Sequence, residues 1–369
     1  MRPFSSTGVG GPNKVFKSSP GRIAKMRDFQ DLISVVRGPI PERPLVAIWD
    51  YAPCHASLVG GIPDMRRYYL DVEEKLSMQL RLKQRFPEVL ILPGVWPDLG
   101  VVIETSAFGG QITWFENGAP YIAPSISDLK AIDHLKIPDP WNAGLTPLYL
   151  VQMKQMQHRL AAQGKTMEKL VISMGPAEIA GLVLGYDRYF LGLYEDSKRI
   201  ITLMECLTEF IIRWLHVQEQ ANDQAELLSL GEHVPSQVSP EQMEYFILPY
   251  IKAIFDEFSY AVKLYHNEGF HTDRHIALIQ QFGFDIWHFG SDQHDLAQLY
   301  ALLDENVCLF GGLNPHGVLR KGRPEEVSLE AEACLRAARG RRLILSSGTG
   351  TTPDVPPENV EAMVKTGTG

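Results

Sequence analysis

The sequence predicts a single (β/α)8 barrel, in which eight parallel strands close into a ring inside a layer of helices. From Leu45 onward, short apolar runs alternate with amphipathic stretches of helical length, the pattern of consecutive strand-helix units. Eight such runs fall within the 325 residues from 45 to 369. No Gly-x-Gly-x-x-Gly motif follows the first run, which argues against an open dinucleotide-binding sheet.

The eight predicted strands are rich in Val, Ile and Leu, and each leads into glycine or polar residues. They are LVAIWD (45–50), VLILPG (89–94), LVISMG (170–175), ELLSLG (226–231), VKLYHN (262–267), DIWHFG (285–290), VCLFGG (307–312) and LILSSG (343–348). Apolar residues recurring at three and four predict helices at 63–85, 146–163, 197–223, 240–260 and 325–338. Ser239 before Pro240 is a helix start signal, because serine caps the first turn and proline fits its first position.

Two segments depart from the strand-helix alternation. Residues 105–126 read ITWF, then the turn ENGAP, then YIAP, which predicts a β-hairpin inserted after the second strand. Residues 1–26 are rich in Ser, Gly and Lys and poor in large apolar groups, so we expect a flexible N-terminal arm ahead of a barrel at 27–369.

Composition restricts the classes of partner. A formal net charge of -9 and a pI near 5.7 argue against nucleic acid, because neutralising phosphates requires clustered cations. No apolar run is long enough to span a membrane, and no signal-peptide core is visible. The four cysteines are widely separated, which predicts neither disulfides nor a zinc knuckle and fits the reducing cytoplasm.

Reactive groups of such barrels lie where the strands end. The polar side chains at the predicted strand ends are Asp50, Tyr51, Cys54, His55, Glu232, His233, His266, Asn267, Glu268, His288, Asp292, Asn314, His316, Ser346, Ser347 and Thr349. Among them we predict substrate contacts from Tyr51, His55, His233, His288, Asn314 and Thr349. His288 also fits a core histidine between two aromatic residues, and Asn314 before proline fits a turn. Farther along the fifth loop, His271 and His275 are expected to face solvent.

His266 and Glu268 are the strongest catalytic candidates. Residues two apart on an extended segment point the same way, so both side chains can face one cavity while Asn267 faces the other side. An imidazole and a carboxylate at this spacing can chelate a metal or act as an acid-base pair. Zinc takes three or four protein ligands, and Glu232, His233 or Asp50 could supply the third. The predicted catalytic set is His266, Glu268, Asp50 and Glu232, with His266, Glu268 and Glu232 as metal ligands.

Five segments carry a family resemblance. They are GPAEIAGLVLG (175–185), SLGEHVPSQVSPEQMEYFILPYIKAI (229–254), YHNEG (265–269), FGGLNPHGVLRKGRPEEV (310–327) and LILSSGTGTTPDVPPENVEAMV (343–364). In this order and spacing they resemble the uroporphyrinogen decarboxylase superfamily over roughly residues 27–365. The resemblance implies the same barrel fold, a homodimer, and one of two activities: decarboxylation of uroporphyrinogen or methyl transfer involving a corrinoid.

The decarboxylase motifs are changed in this sequence. Asp50 and Cys54 stand where the resemblance places arginines that bind the substrate's carboxylates. Gly348-Thr349-Gly350 replaces a Gly-His-Gly, and a conserved tyrosine position of that branch falls near Leu182. A mouth poor in cations is expected to repel a polyanion.

The corrinoid-linked methyltransferase branch is the better match, through SLGEH, PEEV, ILSSG and the histidine after strand five. In that branch the resemblance implies zinc held by a His-x-Cys pair and a second cysteine after strand eight. This sequence has His266-Asn267-Glu268, with Thr349 at the second cysteine position. A carboxylate in place of thiolate makes a harder, more Lewis-acidic site, suited to an oxygen or nitrogen leaving group. Without a metal, His266 and Glu268 would protonate the leaving group directly.

The resemblance therefore implies a methyltransferase that moves a methyl group between a small O- or N-methylated substrate and cobalamin carried by a separate corrinoid protein. The demethylating direction is favoured, and either a zinc ion or direct protonation by His266 and Glu268 could assist the leaving group. Two alternatives stay open. One is a decarboxylase or other lyase acting on a small carboxylate, and the other is a barrel that binds a ligand without catalysis.

Overall fold

The structure, a computed structural model, describes residues 27–49, 51, 56–61 and 64–369. Three predictions fall elsewhere in the chain: the N-terminal arm at 1–26 and the site residues Asp50 and His55 lie outside the described residues. Within the described residues, no helix is both long and apolar enough to cross a membrane.

Eight parallel strands form one sheet, in the order β2-β1-β10-β9-β8-β7-β6-β5. The strands of the chain are β1 Leu45–Trp49, β2 Leu90–Leu92, β3 Ile112–Thr113, β4 Tyr121–Ile122, β5 Leu170–Met174, β6 Leu227–Gly231, β7 Val262–Asn267, β8 Ile286–Phe289, β9 Cys308–Leu313 and β10 Leu343–Ser347. All eight predicted strands and the TIM-barrel fold class are confirmed. Most are buried along their whole length, as expected for a parallel sheet covered by helices.

Helices fill the connections between the strands. They are α1 Phe29–Arg37, α2 Met65–Leu70, α3 Val72–Arg85, α4 Ile103–Ala107, α5 Thr146–Ala161, α6 Pro176–Leu184, α7 Tyr186–Glu195, α8 Ser197–Asn222, α9 Pro240–Phe246, α10 Leu248–Glu257, α11 Asp273–Ile279, α12 Leu296–Leu302, α13 Val318–Lys321, α14 Pro324–Ala337 and α15 Pro357–Thr368. Ser239 caps α9 as predicted, in a capping box with Gln242.

Two predicted helices are each divided into two. The stretch 63–85 breaks at Asp71, whose carboxylate accepts from the N–H groups of Glu73 and Glu74 and so starts a new helix. The stretch 240–260 breaks at Ile247, because Pro249 in the first turn of α10 has no N–H to continue the preceding helix. Periodicity alone did not resolve these breaks, since the apolar face continues across both of them.

The predicted β-hairpin is confirmed in a shorter form. Strand β3 pairs antiparallel with β4, with Ile112 opposite Ile122 and Thr113 opposite Tyr121. Helix α4 occupies the first residues of the stretch 105–126. The paired part therefore covers two residues on each side.

Alternate residues of the barrel strands belong to two different cores. Val46 and Ile48 on β1 pack toward the helices, whereas Leu45, Ala47 and Trp49 pack toward the barrel interior. On β7, Val262 and Leu264 have the interior orientation, so His266 and Glu268 continue the same face. The strand period therefore directs both predicted catalytic side chains into the mouth of the barrel.

The loop that carries Glu268 packs closely against the loop after β8. A Cβ atom added at Gly290 would lie 2.1 Å from the carbonyl oxygen of Glu268, whereas one at Gly118 would meet nothing within 4 Å. Gly290→Ala is expected to lower the free energy of unfolding by about 1–3 kcal/mol through overpacking. Gly118→Ala should change it by about 0.5 kcal/mol or less. Urea unfolding of the two variants checks this, and equal stabilities would contradict the close approach.

Candidate active site

The floor of the barrel mouth is aromatic. The indole of Trp49 stacks on the imidazole of His266 with ring centroids 5.1 Å apart, and it lies 4.7 Å from the ring of His288. Phe310 stacks on His288 with ring centroids 4.1 Å apart, and its ring lies 5.8 Å from that of Trp49. These rings come from β1, β7, β8 and β9 and all lie on the interior face. They fix the planes of the two imidazoles and keep water from beneath them.

Three polar side chains converge above this floor. Oε2 of Glu268 lies 3.0 Å from Nε2 of His233 and 3.0 Å from Nε2 of His266. One donor atom from each residue lies within 4.8 Å of the others. The Glu268 side chain is 42% exposed whereas that of His266 is 13% exposed, so the group opens toward the mouth. We call His233, His266 and Glu268 the inner triad.

Within the inner triad, the pKa of the carboxyl is lowered and the pKa of one imidazole is raised. Burial alone would raise the pKa of the Glu268 carboxyl, but hydrogen bonds and charge from His233 and His266 hold this pKa far below its usual value. Burial lowers the pKa of His233, and the flanking carboxylates of Glu178 and Glu268 outweigh it and raise that pKa to about 10. Without a metal, Glu268 is therefore ionised and His233 carries a proton at neutral pH.

The donors of the inner triad suit a metal ion. Two imidazole nitrogens and one carboxylate oxygen form a ligand set that zinc accepts, with room for water or substrate in a fourth position. Oε2 of Glu268 lies 3.0 Å from both imidazole Nε2 atoms, so the three donor atoms face one point. A cation placed among the three atoms would bind this oxygen. Binding it would displace the proton of His233, as metal binding to imidazoles generally does.

Glu232 lies beside the inner triad but faces elsewhere. Its carboxylate accepts from the backbone N–H groups of Ala177 at 2.8 Å, Glu178 at 3.2 Å and Val234 at 3.3 Å. A Cβ atom at Gly175 would lie 2.4 Å from Oε2, so glycine is needed for this approach. Burial, and then the neighbouring charge of Glu178, raise the pKa of Glu232 to about 8. In this position Glu232 ties β6 to the N-terminus of α6.

Glu178 is a site residue that the sequence interpretation missed. One carboxylate oxygen lies 3.3 Å from Nδ1 of His233, and the other accepts a hydrogen bond from the hydroxyl of Tyr186. The signal was the motif Gly175-Pro176, which starts a helix directly at the end of β5. A carboxylate in that first turn must lie at the same end of the barrel as the strand termini.

His288 lies behind His266 and is fully buried. Its Nδ1 is 3.0 Å from Nδ1 of His266, and its Nε2 is 3.3 Å from the carbonyl oxygen of Ser347. Burial and the neighbouring His266 lower the pKa of His288 well below its usual value. His288, predicted to contact substrate, therefore lies directly against His266 with no exposed surface.

The remaining predicted substrate residues are spread around the mouth. Tyr51 is half-buried, with its ring 5.3 Å from the rings of both Trp49 and Trp96. The side-chain oxygen of Asn314 accepts from the N–H groups of His316 and Gly317, which is the turn role that its proline neighbour indicated. Thr349 is half-buried in the bend after β10.

The expectation that His271 and His275 face solvent is wrong. Their exposed fractions are 2% and 7%. Nδ1 of His271 lies 2.8 Å from the carbonyl oxygen of Gly269, and Nε2 of His275 lies 2.9 Å from that of Val238. These backbone acceptors satisfy ring donors that burial would otherwise leave unpaired. Sequence position beyond the strand did not reveal that the loop folds back over β8.

Comparison with known proteins gives a family match over most of the chain. A family model described as Uroporphyrinogen decarboxylase (URO-D) matches residues 31–368. The uroporphyrinogen decarboxylase of Synechococcus sp. (strain CC9605) is 28% identical over 181 residues, which cover 47% of this chain and 49% of that protein. The Methylcobamide:CoM methyltransferase MtbA of Methanosarcina mazei is 26% identical over 207 residues, covering 55% and 58%. The chain thus spans about half the length of the curated relatives it matches.

A solved structure supports the fold. The chain is similar to a structure described as a methyltransferase from Methanosarcina mazei, with a TM-score of 0.75 and 18% sequence identity. The similarity covers 91% of this chain and 97% of that one. The predicted resemblance to the superfamily is confirmed, and methyltransferases are among the proteins matched.

The raised pKa of Glu232 predicts a pH-dependent stability difference. Because this pKa is about 8 in the folded chain and near 4.5 in the unfolded chain, the folded state binds more protons between these values. The wild type should therefore lose stability relative to Glu232→Gln as pH rises from 5 to 8. The loss is about 1.4 kcal/mol per unit of pKa difference. Urea unfolding across this range measures it, with the exposed Glu332→Gln as control, and a flat difference would contradict the burial argument.

Proposed function

The chain belongs to the uroporphyrinogen decarboxylase family, and we propose that within this family it is a corrinoid-dependent methyltransferase. It moves a methyl group between a small O- or N-methylated substrate and a corrinoid on a separate protein, with demethylation of the substrate as the favoured direction. The observation that carries the proposal is the convergence of His233, His266 and Glu268 at the barrel mouth. Such a group can assist an oxygen or nitrogen leaving group.

Charge favours this activity over decarboxylation of a polyanion. Glu178, Glu232 and Glu268 all lie within one cluster with His233. The substrate of a uroporphyrinogen decarboxylase carries many carboxylates and needs cations around it. Glu178 and Glu268 are ionised while Glu232 keeps its proton, and the four residues include no arginine or lysine. Such a cluster does not supply the cations that a polyanion needs, whereas it tolerates a neutral or cationic methylated compound. A relative named as a methylcobamide methyltransferase also supports methyl transfer over decarboxylation.

The inner triad provides the chemistry. His233, His266 and Glu268 would hold a zinc ion, which supplies Lewis acidity at the atom that loses the methyl group. The partner's corrinoid, in its cobalt(I) state, would supply the electron pair that accepts the methyl group released by the substrate's oxygen or nitrogen. The leaving atom keeps the electron pair of its bond to the methyl group and takes a proton. In the metal-free alternative, that proton comes directly from His233, which lies between Glu178 and Glu268.

A lyase acting on a small carboxylate is the second candidate. It is favoured by the relatives named uroporphyrinogen decarboxylase, from Synechococcus and Trichodesmium erythraeum among others. In that case His266 and Glu268 act as an acid-base pair without a corrinoid. A barrel that binds its ligand without catalysis is the outcome if neither reaction is found.

Metal analysis tests the ligand set. The wild-type protein, dialysed against zinc and then desalted, is expected to retain one zinc per chain. Replacing His233, His266 or Glu268 with alanine should abolish retention, because three protein ligands are the minimum for such sites. Glu232→Gln is the matched control and should retain zinc. Loss in Glu232→Gln together with retention in His233→Ala would support the set His266, Glu268 and Glu232 instead, and absence of zinc from the wild type would overturn the metal proposal.

Activity is tested with methyl ethers and methylamines in the presence of cob(I)alamin. Wild-type protein is expected to form methylcobalamin with at least one member of the panel. His266→Ala should slow this by about 10²–10⁴-fold, the usual contribution of a positioned acid or metal ligand. Release of carbon dioxide from small carboxylates without corrinoid would favour the lyase. If the folded, zinc-treated protein shows neither activity, the result would favour a barrel that binds its ligand without catalysis.

A further inference from the structure

We infer that His288 is a positioning residue, which holds His266 in the tautomer and orientation that aim the lone pair of Nε2 at the centre of the inner triad. The inference rests on the proposed function, since it concerns how the same site binds a cation. It assigns to His288 an indirect role, exerted through His266, that differs from the predicted contact with substrate.

Strand register brings the two histidines together. In the parallel pairing of β7 with β8, His266 is the direct neighbour of His288. Both follow residues of the interior core, Leu264 and Ile286, at a spacing of two, so both side chains enter the barrel. The contact between their Nδ1 atoms is therefore fixed by the sheet.

The hydrogen-bond partners of His288 show which of its ring nitrogens carries a hydrogen. The carbonyl oxygen of Ser347 can only accept, so the Nε2 atom of His288 facing it must carry a hydrogen. The ring of His288 is fully buried and stacked on Phe310. Its two nitrogens contact His266 and Ser347, neither of which offers a negative charge to compensate a buried imidazolium. His288 is therefore neutral, and its Nδ1 bears a lone pair.

His266 must then donate to that lone pair. Two ring nitrogens 3.0 Å apart share one hydrogen. Because Nδ1 of His288 bears a lone pair, this hydrogen belongs to Nδ1 of His266. The Nε2 atom of His266 is left to face Glu268, and a cation bound there would take its lone pair in place of a proton. Stacking on Trp49 prevents the ring from turning away.

Glu178 orients the imidazole of His233 in the way that His288 orients that of His266. It faces Nδ1 of His233 and directs Nε2 of His233 toward Glu268. Tyr186 in turn donates to Glu178, and Gly181 makes room for the tyrosine ring, since a Cβ there would lie 2.5 Å from it. Both imidazoles thus present Nε2 to one point, each fixed from behind by an outer partner, as in many metal sites.

The test combines two variants with a cobalt titration. Purified metal-free protein is titrated with Co²⁺, whose visible absorption reports coordination. His288→Leu keeps the ring pocket filled but removes the acceptor, and it should weaken Co²⁺ binding by about 10–100-fold. His288→Asn keeps an oxygen that can accept from Nδ1 of His266, so its affinity should stay within about threefold of the wild type. Equal affinities for wild type and His288→Leu would overturn the inference.

A second measurement does not depend on the metal. Long-range ¹H–¹⁵N NMR spectra of the metal-free wild type report which ring nitrogens carry hydrogen, and His288 is expected to carry one on Nε2 only. Hydrogen on both nitrogens, or on Nδ1 alone, would overturn the inference even if His288→Leu fails to fold. The expected pattern in a protein that binds neither Co²⁺ nor Zn²⁺ would uphold the positioning of His266 while refuting the metal proposal.

Discussion

In-register pairing of three consecutive parallel strands is the constraint on which the site depends. Gly231 on β6 pairs with His266 on β7, and His266 pairs with His288 on β8. The strand ends are therefore level, so the residues after Gly231 emerge beside His266. A shift of one residue in β7 would turn His266 out of the barrel and bring Asn267 in. Asn267 instead donates to the carbonyl of Glu232 from the outer face, which helps to hold the register.

The same end of the barrel must accommodate several carboxyl groups close together. Glu232 and Glu178 have opposite environments: Glu232 is fully buried and its pKa is raised, whereas Glu178 has its pKa lowered by its hydrogen bond and charge pairing with His233 against the cost of burial. At neutral pH one carboxyl therefore keeps its proton while the other is ionised. Because the two pKa values differ, Glu232 and Glu178 are not both charged at this pH. The negative charge is on Glu178, which orients His233.

Strand positions and the pairing of His266 with Glu268 could be predicted from sequence because both follow from a period of two, which is a local property. The strand period could not predict that His233 belongs to the inner triad, because the residues after β6 form an irregular turn that leads into a short 3-10 helix. Burial of His271 and His275 depends on acceptors in distant segments, and so does the role of Glu178. These are tertiary contacts, and neither composition nor spacing encodes them.

The geometry also bears on what replaces the cysteines expected from the methyltransferase branch. By the resemblance, Glu268 stands at the position of the first cysteine and belongs to the group, whereas Thr349, at the second, lies half-buried in the bend after β10. His233 enters from β6, on the opposite side of β7 from β8, so the three donors of the inner triad come from the ends of β6 and β7. Imidazole and carboxylate are harder donors than thiolate, and a cation held by them withdraws more charge from an oxygen or nitrogen bound to it. Under the proposed function, this favours cleavage of a methyl ether or methylamine over alkylation of a thiol.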